Sequence, residues 1–274
     1  MERSVQQMGF LDLFRPRTGS GGRRLRFCCL THMGLARSAN EDNYAFFGSC
    51  LLPDRRQNSA PAVCDTWERT NPAAAVFDGM GGGVTGKLAS YEAASFFAAC
   101  QDGRPWDEDR LTEAVREMNR RVRGMKERER SVSAGTTALL FAVSDGDALI
   151  CFLGDSPAFL LREGELRRLT RPHNDAELLR KLRIPGRRPS LTRYLGIEES
   201  GSAVRPEFVR IPLCTGDRFL LCTDGLTNMV AENKIREIMT AEAESGSCAG
   251  VLLKEALSAG GRDNITIVLC DVGS

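Results

Sequence analysis

The chain has 274 residues, of which 42% are hydrophobic and 27% charged, and its 37 Lys and Arg against 36 Asp and Glu leave a net charge of +1. This is ordinary globular composition, long enough to bury a core without metal or disulfide staples, and it excludes collagen-like, coiled-coil and wholly disordered chains. The near-zero charge gives no electrostatic footprint for nucleic acid, and no apolar run approaches the ~20 residues of a membrane span.

In chain order, residues 1–25 read as a flexible basic tail carrying Arg15, Arg17, Arg23 and Arg24, with a small apolar island at 9–14. Residues 26–272 read as one domain. Residues 26–30 and 44–47 are expected as a first strand pair around the Asn40-Glu41-Asp42 turn, and 49–72 as a loop. Residues 73–77 form an apolar strand ending at Asp78-Gly79. Helical periodicity follows over 87–100 and 109–128. Two hairpins come next, 136–143 with 148–153 around Asp145-Gly146, and 158–162 with 165–169 around Glu163-Gly164. A short helix and a Pro/Arg-rich loop fill 170–190. Residues 218–223 are a strand ending at Asp224-Gly225, helices lie near 231–241 and 248–258, and 265–270 is the last strand.

The ten cysteines lie mostly in apolar runs, none forms a C-x-x-C pair, and there are two histidines. Buried free thiols in a reducing cytoplasm fit this pattern, and a zinc site does not. The N-terminus lacks the basic-then-apolar pattern of a signal peptide.

The informative residues are acidic. Asp78, Asp155 and Asp224 each close an apolar strand, Asp263 opens one, and Asp42 sits in the turn between two. Strand ends hold side chains rigidly, and the glycines after Asp78 and Asp224 let the backbone approach an ion closely. Carboxylates converging on one point repel one another and hold their protons. A hard divalent cation removes that repulsion, and Mg²⁺ or Mn²⁺ takes just such oxygen ligands. Residues and spacing alone point to a metal-dependent hydrolase, with two ions suited to displacement at phosphorus.

The motifs Arg37-Ser-Ala-Asn40-Glu41-Asp42, Val76-Phe-Asp78-Gly79-Met80-Gly81-Gly82, Ala134-Gly-Thr-Thr137, Gly154-Asp155-Ser156, Leu191-Thr-Arg-Tyr-Leu195-Gly196, Thr223-Asp224-Gly225 and Arg262-Asp263-Asn264 resemble the protein phosphatase 2C family. They occur in the family's order. The resemblance implies an α+β fold: a two-sheet antiparallel β-sandwich flanked by helices on both faces. It implies hydrolysis of phosphoserine and phosphothreonine on proteins by a metal-activated water, with two Mn²⁺ or Mg²⁺ ions and a third, weaker site. Carried over by position, Asp78 bridges the metals, the Gly79 carbonyl binds one, and Asp224 and Asp263 complete the other. Glu41 and Asp42 hold metal-bound waters, Arg37 holds the substrate phosphate, and Asp155 joins Asp224 at the third ion. Phosphorylated proteins, a serine/threonine kinase among them, are the implied partners, with the enzyme a cytoplasmic monomer.

The sequence departs from the family at Pro157, Pro172 and Gly83, and Met80 stands where some members carry His. The stretch between His173 and Leu191 is short, which reduces the flap beside the active site. Other readings stay open on sequence. Residues 81–88, GGGVTGKL, lack only the final hydroxyl of a phosphate-binding loop. Cys50 and Arg56 have the bare spacing of a cysteine phosphatase. A pseudophosphatase that binds phosphoproteins without hydrolysis is the rival from another class.

Overall fold

The structure, a computed structural model, describes residues 22–274 apart from 54–57, 60, 132, 185, 188 and 199–203. Thirteen strands and six α-helices are assigned among them. The first sheet contains β1 (Arg24–His32), β3 (Ala62–Trp67), β9 (Ala158–Arg162), β10 (Glu165–Arg168), β12 (Arg218–Cys222) and β13 (Ile265–Val272), in the order β10-β9-β12-β13-β1-β3. The second contains β2 (Asn43–Phe46), β4 (Ala73–Phe77), β7 (Ala138–Ser144), β8 (Asp147–Leu153) and β11 (Glu207–Pro212), in the order β11-β8-β7-β4-β2. Every pairing is antiparallel. A two-stranded ribbon of β5 (Gly79–Met80) and β6 (Gly135–Thr136) completes the strands.

Side-chain alternation builds the layers. In β1, Leu25, Phe27 and Cys29 join Val268, Cys270 and Val272 of β13 against Leu139, Phe141 and Val143 of β7, between the sheets. The alternate residues, Cys28 and Leu30 with Ile267 and Leu269, face α5 (Glu232–Ala241) and α6 (Ser245–Ser258). On the opposite face of the molecule, Ala73, Ala75 and Phe77 of β4 meet α1 (Val84–Ala99) and α2 (Glu108–Arg128). Small residues on both sides, including Ala89 and Ala93, seat α1 close to the sheet. The expected α-β-β-α sandwich is therefore present. Both faces of its central strands are covered, which is why they read as continuous apolar runs.

The two hairpins and the long helices fall where expected. Three expectations are corrected. Residues 26–30 and 44–47 are not a strand pair, because β1 pairs with β13 and β3 while β2 pairs with β4 in the other sheet. The connection carrying Arg37 to Asp42 crosses between sheets. The segment 49–72 is not all loop, since it contains β3 and a single 3-10 turn at Glu68–Thr70. Strand β1 begins inside the segment read as tail: Leu25 is fully buried and pairs with Val272. The rest of that expected tail, residues 1–21 with the apolar island at 9–14, lies outside the described residues.

Candidate metal centre

Topology brings the acidic residues together. β4 and β8 both lie antiparallel to β7, so Asp78 and Asp155 leave the same end of the second sheet. β2 is antiparallel to β4, which puts Glu41 and Asp42 at that end too. In the first sheet β12 ends where β13 begins, placing Asp224, the first residue of α4 (Asp224–Thr227), beside Asp263. A pocket of about 250 Å³ opens there, lined by Arg37, Glu41, Asp78, Gly79, Asp155, Leu191, Asp224, Asp263 and Asn264 among others. A larger cavity of about 750 Å³ lies by Trp106 and Arg110 on the outer helical face and holds none of the expected site residues.

The backbone around the pocket is closely fitted. A Cβ at Gly79 would stand 2.2 Å from the Glu41 carbonyl oxygen, and one at Gly225 would stand 1.9 Å from that of Asn264. Asp78 is held by its own main chain. Its N–H donates to Thr137 Oγ1 at 2.9 Å, and its carbonyl accepts from Thr137 N and Thr136 Oγ1, both at 2.9 Å. Thr137 Oγ1 also pairs with Ser156 Oγ at 2.8 Å, which ties Asp78 to the turn bearing Asp155. On that turn the His173 N–H donates to the Gly154 carbonyl at 2.9 Å, and His173 Nδ1 accepts from Gly154 N at 3.2 Å.

Asp42 does not line the pocket. It is buried behind it, with Oδ2 accepting from Thr223 Oγ1 at 2.8 Å and Thr266 Oγ1 at 2.9 Å. Thr266 Oγ1 in turn pairs with Thr31, which accepts from Asn40. Asn264 is the other tie. Its Oδ1 accepts from Glu41 N at 2.8 Å, and its Nδ2 donates to the carbonyls of Met33 and Ala39. These hydroxyl and amide residues stand within two positions of an acidic residue in the sequence or across a strand pair. Asn40, Thr137, Ser156, Thr223 and Asn264 also fall within the motifs noted above, whereas Thr31 does not.

Five carboxylates, Glu41, Asp78, Asp155, Asp224 and Asp263, face one guanidinium in the lining. Burial, reinforced by its acidic neighbours, drives the Asp78 carboxyl well above its ordinary range. Burial also raises Asp42, against the pull of its two threonine donors. It pushes Asp155 up to about 6, with Asp224 adding to the effect, and raises Asp224, with Asp263 adding. The donor set is wholly hard oxygen with excess negative charge, which fits Mg²⁺ or Mn²⁺. Among the described residues no three acidic side chains close on one point at ligating distance. Protein donors hold them instead: Asp263 accepts from Arg37 at 2.8 Å, Glu41 from the Gly83 N–H at 2.8 Å, and Asp224 from Asn228 at 3.0 Å.

That contact at Gly83 answers the phosphate-loop reading. The glycine run turns a backbone N–H toward a carboxylate, and Lys87 donates to the Pro53 carbonyl at 3.3 Å. Of the cysteine-phosphatase pair, Cys50 is half-buried and Arg56 lies outside the described residues.

A family model for protein phosphatase 2C matches residues 62–258. The chain belongs to the protein phosphatase 2C family. It is 31% identical over 260 residues to the serine/threonine phosphatase stp of Listeria monocytogenes, covering 88% of this chain and 93% of that one. It is 32% identical over 265 residues to PstP of Mycobacterium tuberculosis, covering 90% of this chain and 45% of that one. The crystal structure of the Mycobacterium tuberculosis PstP phosphatase superposes with a TM-score of 0.74 at 28% identity, over 92% of this chain and 100% of that one. A structure of the PstP catalytic domain in complex with two manganese ions superposes at 0.73 with 27% identity, over 92% of this chain and 100% of that one.

Within this phosphatase 2C chain the departures from the family pattern have structural places. Pro157 is buried where the chain enters β9, and its carbonyl accepts from Cys222 N at 3.1 Å. Pro172 is exposed. The segment between His173 and Leu191 contains one short helix, α3 (Ala176–Lys181).

Proposed function

We propose that the pocket between the sheet ends carries out the hydrolysis of phosphoserine and phosphothreonine on proteins, with Arg37 receiving the phosphate and Asp78, Gly79, Asp224 and Asp263 holding two metal ions. The chain is a metal-dependent serine/threonine protein phosphatase with Mn²⁺ or Mg²⁺ as cofactor. When bound, the ions supply charge neutralisation and an activated water. The protein's own residues do the rest. Arg37 presents a planar fork to two phosphate oxygens, and it leaves Asp263 to do so. With the ions bound, Glu41 would hold water beside them, and Asp155 with Asp224 would hold a third, weaker ion. In this reading Asp42 acts from behind the pocket, fixing Thr223 beside Asp224. The single observation that carries the assignment is the lining itself, five carboxylates and one arginine at one end of both sheets.

Phosphorylated proteins are the substrates, and a serine/threonine kinase with its targets is the fitting partner set. A cytoplasmic monomer is the form we propose, and the ten free cysteines suit a reducing compartment. A binder without hydrolysis has no need of the full carboxylate set, and that reading is not favoured.

The test is hydrolysis of p-nitrophenyl phosphate and a phosphothreonine peptide with Mn²⁺, Mg²⁺ or EDTA, alongside Asp224→Asn. Turnover should require metal and fall by ~10²–10³-fold in the variant. Equal turnover in EDTA, or a fully active variant, would refute the assignment.

A further inference from the structure

The segment beside the pocket is rich in basic residues. From Arg171 to Arg193 it carries seven basic and two acidic residues, a net charge of +5 in a protein whose total is +1. Some of that charge is already satisfied. Arg171 and Arg193 pair with Glu207, and Lys181 with Glu177. Arg180, Arg183 and Arg187 are exposed and take part in no ion pair among the described residues. Between them Leu178, Leu182 and Ile184 stand 56%, 60% and 42% exposed. Exposed arginines outside any ion pair, interleaved with bare aliphatic side chains, add little to the stability of the fold.

Their position gives them a use. The segment hangs from a two-stranded neck. Thr192 N donates to the His173 carbonyl at 2.8 Å, Asn174 bridges Leu191, and Asp175 exchanges bonds with Ser190 at 3.0 and 2.6 Å. Leu191 is part of the pocket wall, and the other side of the neck, His173, grips the Gly154 turn that bears Asp155. Arg187 is four residues from Leu191, at most ~14 Å along the chain. A phosphorylated side chain in the pocket would therefore lay its flanking residues across this surface.

We infer that the 176–189 lobe is a substrate-docking surface, selecting phosphoprotein segments that carry acidic residues and an apolar side chain beside the phosphorylated residue. Charge complementarity selects this occupant. A second copy of the chain would set the lobe's +4 against another +4. This inference rests on the proposed function of the pocket, and its test separates the two.

Manganese-loaded full-length protein would be assayed on one phosphothreonine peptide with glutamate, glutamine or lysine flanks, and on p-nitrophenyl phosphate. Binding of the same peptides, fluorescently labelled, would be followed by anisotropy. The wild type should favour the glutamate peptide over the lysine peptide about tenfold in kcat/KM, less at high salt. The combined variant Arg180→Glu, Arg183→Glu, Arg187→Glu should lose or reverse that preference while hydrolysing p-nitrophenyl phosphate within about twofold of wild type. Leu178→Ser with Leu182→Ser should weaken all apolar-flanked peptides several-fold, again sparing the small substrate. Equal rates on all three peptides, or an unchanged preference in the arginine variant, would overturn the inference. If no substrate turns over, the pocket assignment fails, and anisotropy alone decides the lobe: tighter binding of the acidic peptide upholds it and equal binding overturns it. Arginine-dependent binding to phosphatidylglycerol vesicles with no peptide preference would also overturn it, in favour of a lipid surface.

Discussion

Arg37 and Asp263 touch at 2.8 Å, and that contact sets the cost of using either one. Each is partly exposed, so the pair contributes little stability. Its value is positional, since it aims a guanidinium over the pocket. Arg37→Ala should raise KM for phosphopeptides by ~10–100-fold and leave the Mn²⁺ dissociation constant within about twofold. Arg37→Lys should recover only a small part, because an ammonium cannot make the two parallel bonds. Steady-state kinetics beside titration calorimetry would check both. Asp42 poses the opposite case, a buried carboxylate sustained by two hydroxyls. Thr266→Val keeps the shape and removes one donor, leaving Asp42 short of a partner. The expected cost is about 1–3 kcal/mol, a fall in Tm of roughly 2–10 °C for a chain of this size. A Tm unchanged in Thr266→Val would show that the hydroxyl bonds are not needed to keep Asp42 in place.

At the scale of elements, the sequence was most legible where both faces of a strand are covered. β4, β7, β8, β12 and β13 are continuous apolar runs and were read correctly, as were the Asp-Gly and Glu-Gly hairpins. The strands missed are edges. β3, AVCDTW, closes one sheet with Asp65 and Trp67 turned outward, and β11, EFVRIP, closes the other with charged residues and a terminal proline. Edge strands carry charges and proline that blunt further pairing, and those residues erase the alternation that marks a strand. The pocket carboxylates Asp78, Asp155, Asp224 and Asp263 are legible because each sits against an apolar run. The hydroxyl and amide supports are legible only as motif residues: Thr and Asn occur everywhere, and only the fold says which of them meet. Helix α1 shows how an element serves the site. A Cβ at Gly86, in its first turn, would stand 1.9 Å from Glu41 Oε2. Gly86→Ala should therefore push Glu41 aside and cut turnover tenfold or more, although alanine favours the helix by ~1 kcal/mol. Activity loss without a fall in Tm is the expected signature.

At the scale of the whole molecule, the buried carboxylates make stability depend on pH and metal together. The folded protein holds protons on Asp42, Asp78, Asp155 and Asp224 more tightly than the unfolded chain does. Their contribution is complete below the ordinary carboxylate value of ~4 and is lost as pH rises through the raised values. His173 and His32, both lowered by burial, act in the opposite sense, adding stability as pH rises toward ~6.5. The difference in Tm between Mg²⁺-loaded and chelator-treated protein largely cancels the histidines. That difference should be about 5–10 °C at pH 8 with a hundredfold excess over Kd, and less than half as large at pH 5.5. A difference that shrinks with rising pH would contradict the carboxylate site.

The same tie that sustains Asp42 has a mechanical consequence. The sheets meet through aliphatic and aromatic side chains, an attraction without direction that resists separation far better than sliding. At the pocket end, what indexes one sheet against the other is directional: two threonine hydroxyls of the first sheet on Asp42, and Asn264 on the Glu41 amide. Of the lining carboxylates, Glu41, Asp78 and Asp155 ride on the second sheet and Asp224 and Asp263 on the first. A slip of 1 Å between the layers would leave the core as oily and as well filled as before, yet would pull the two halves of the pocket out of alignment. These few polar bonds thus act as a dowel.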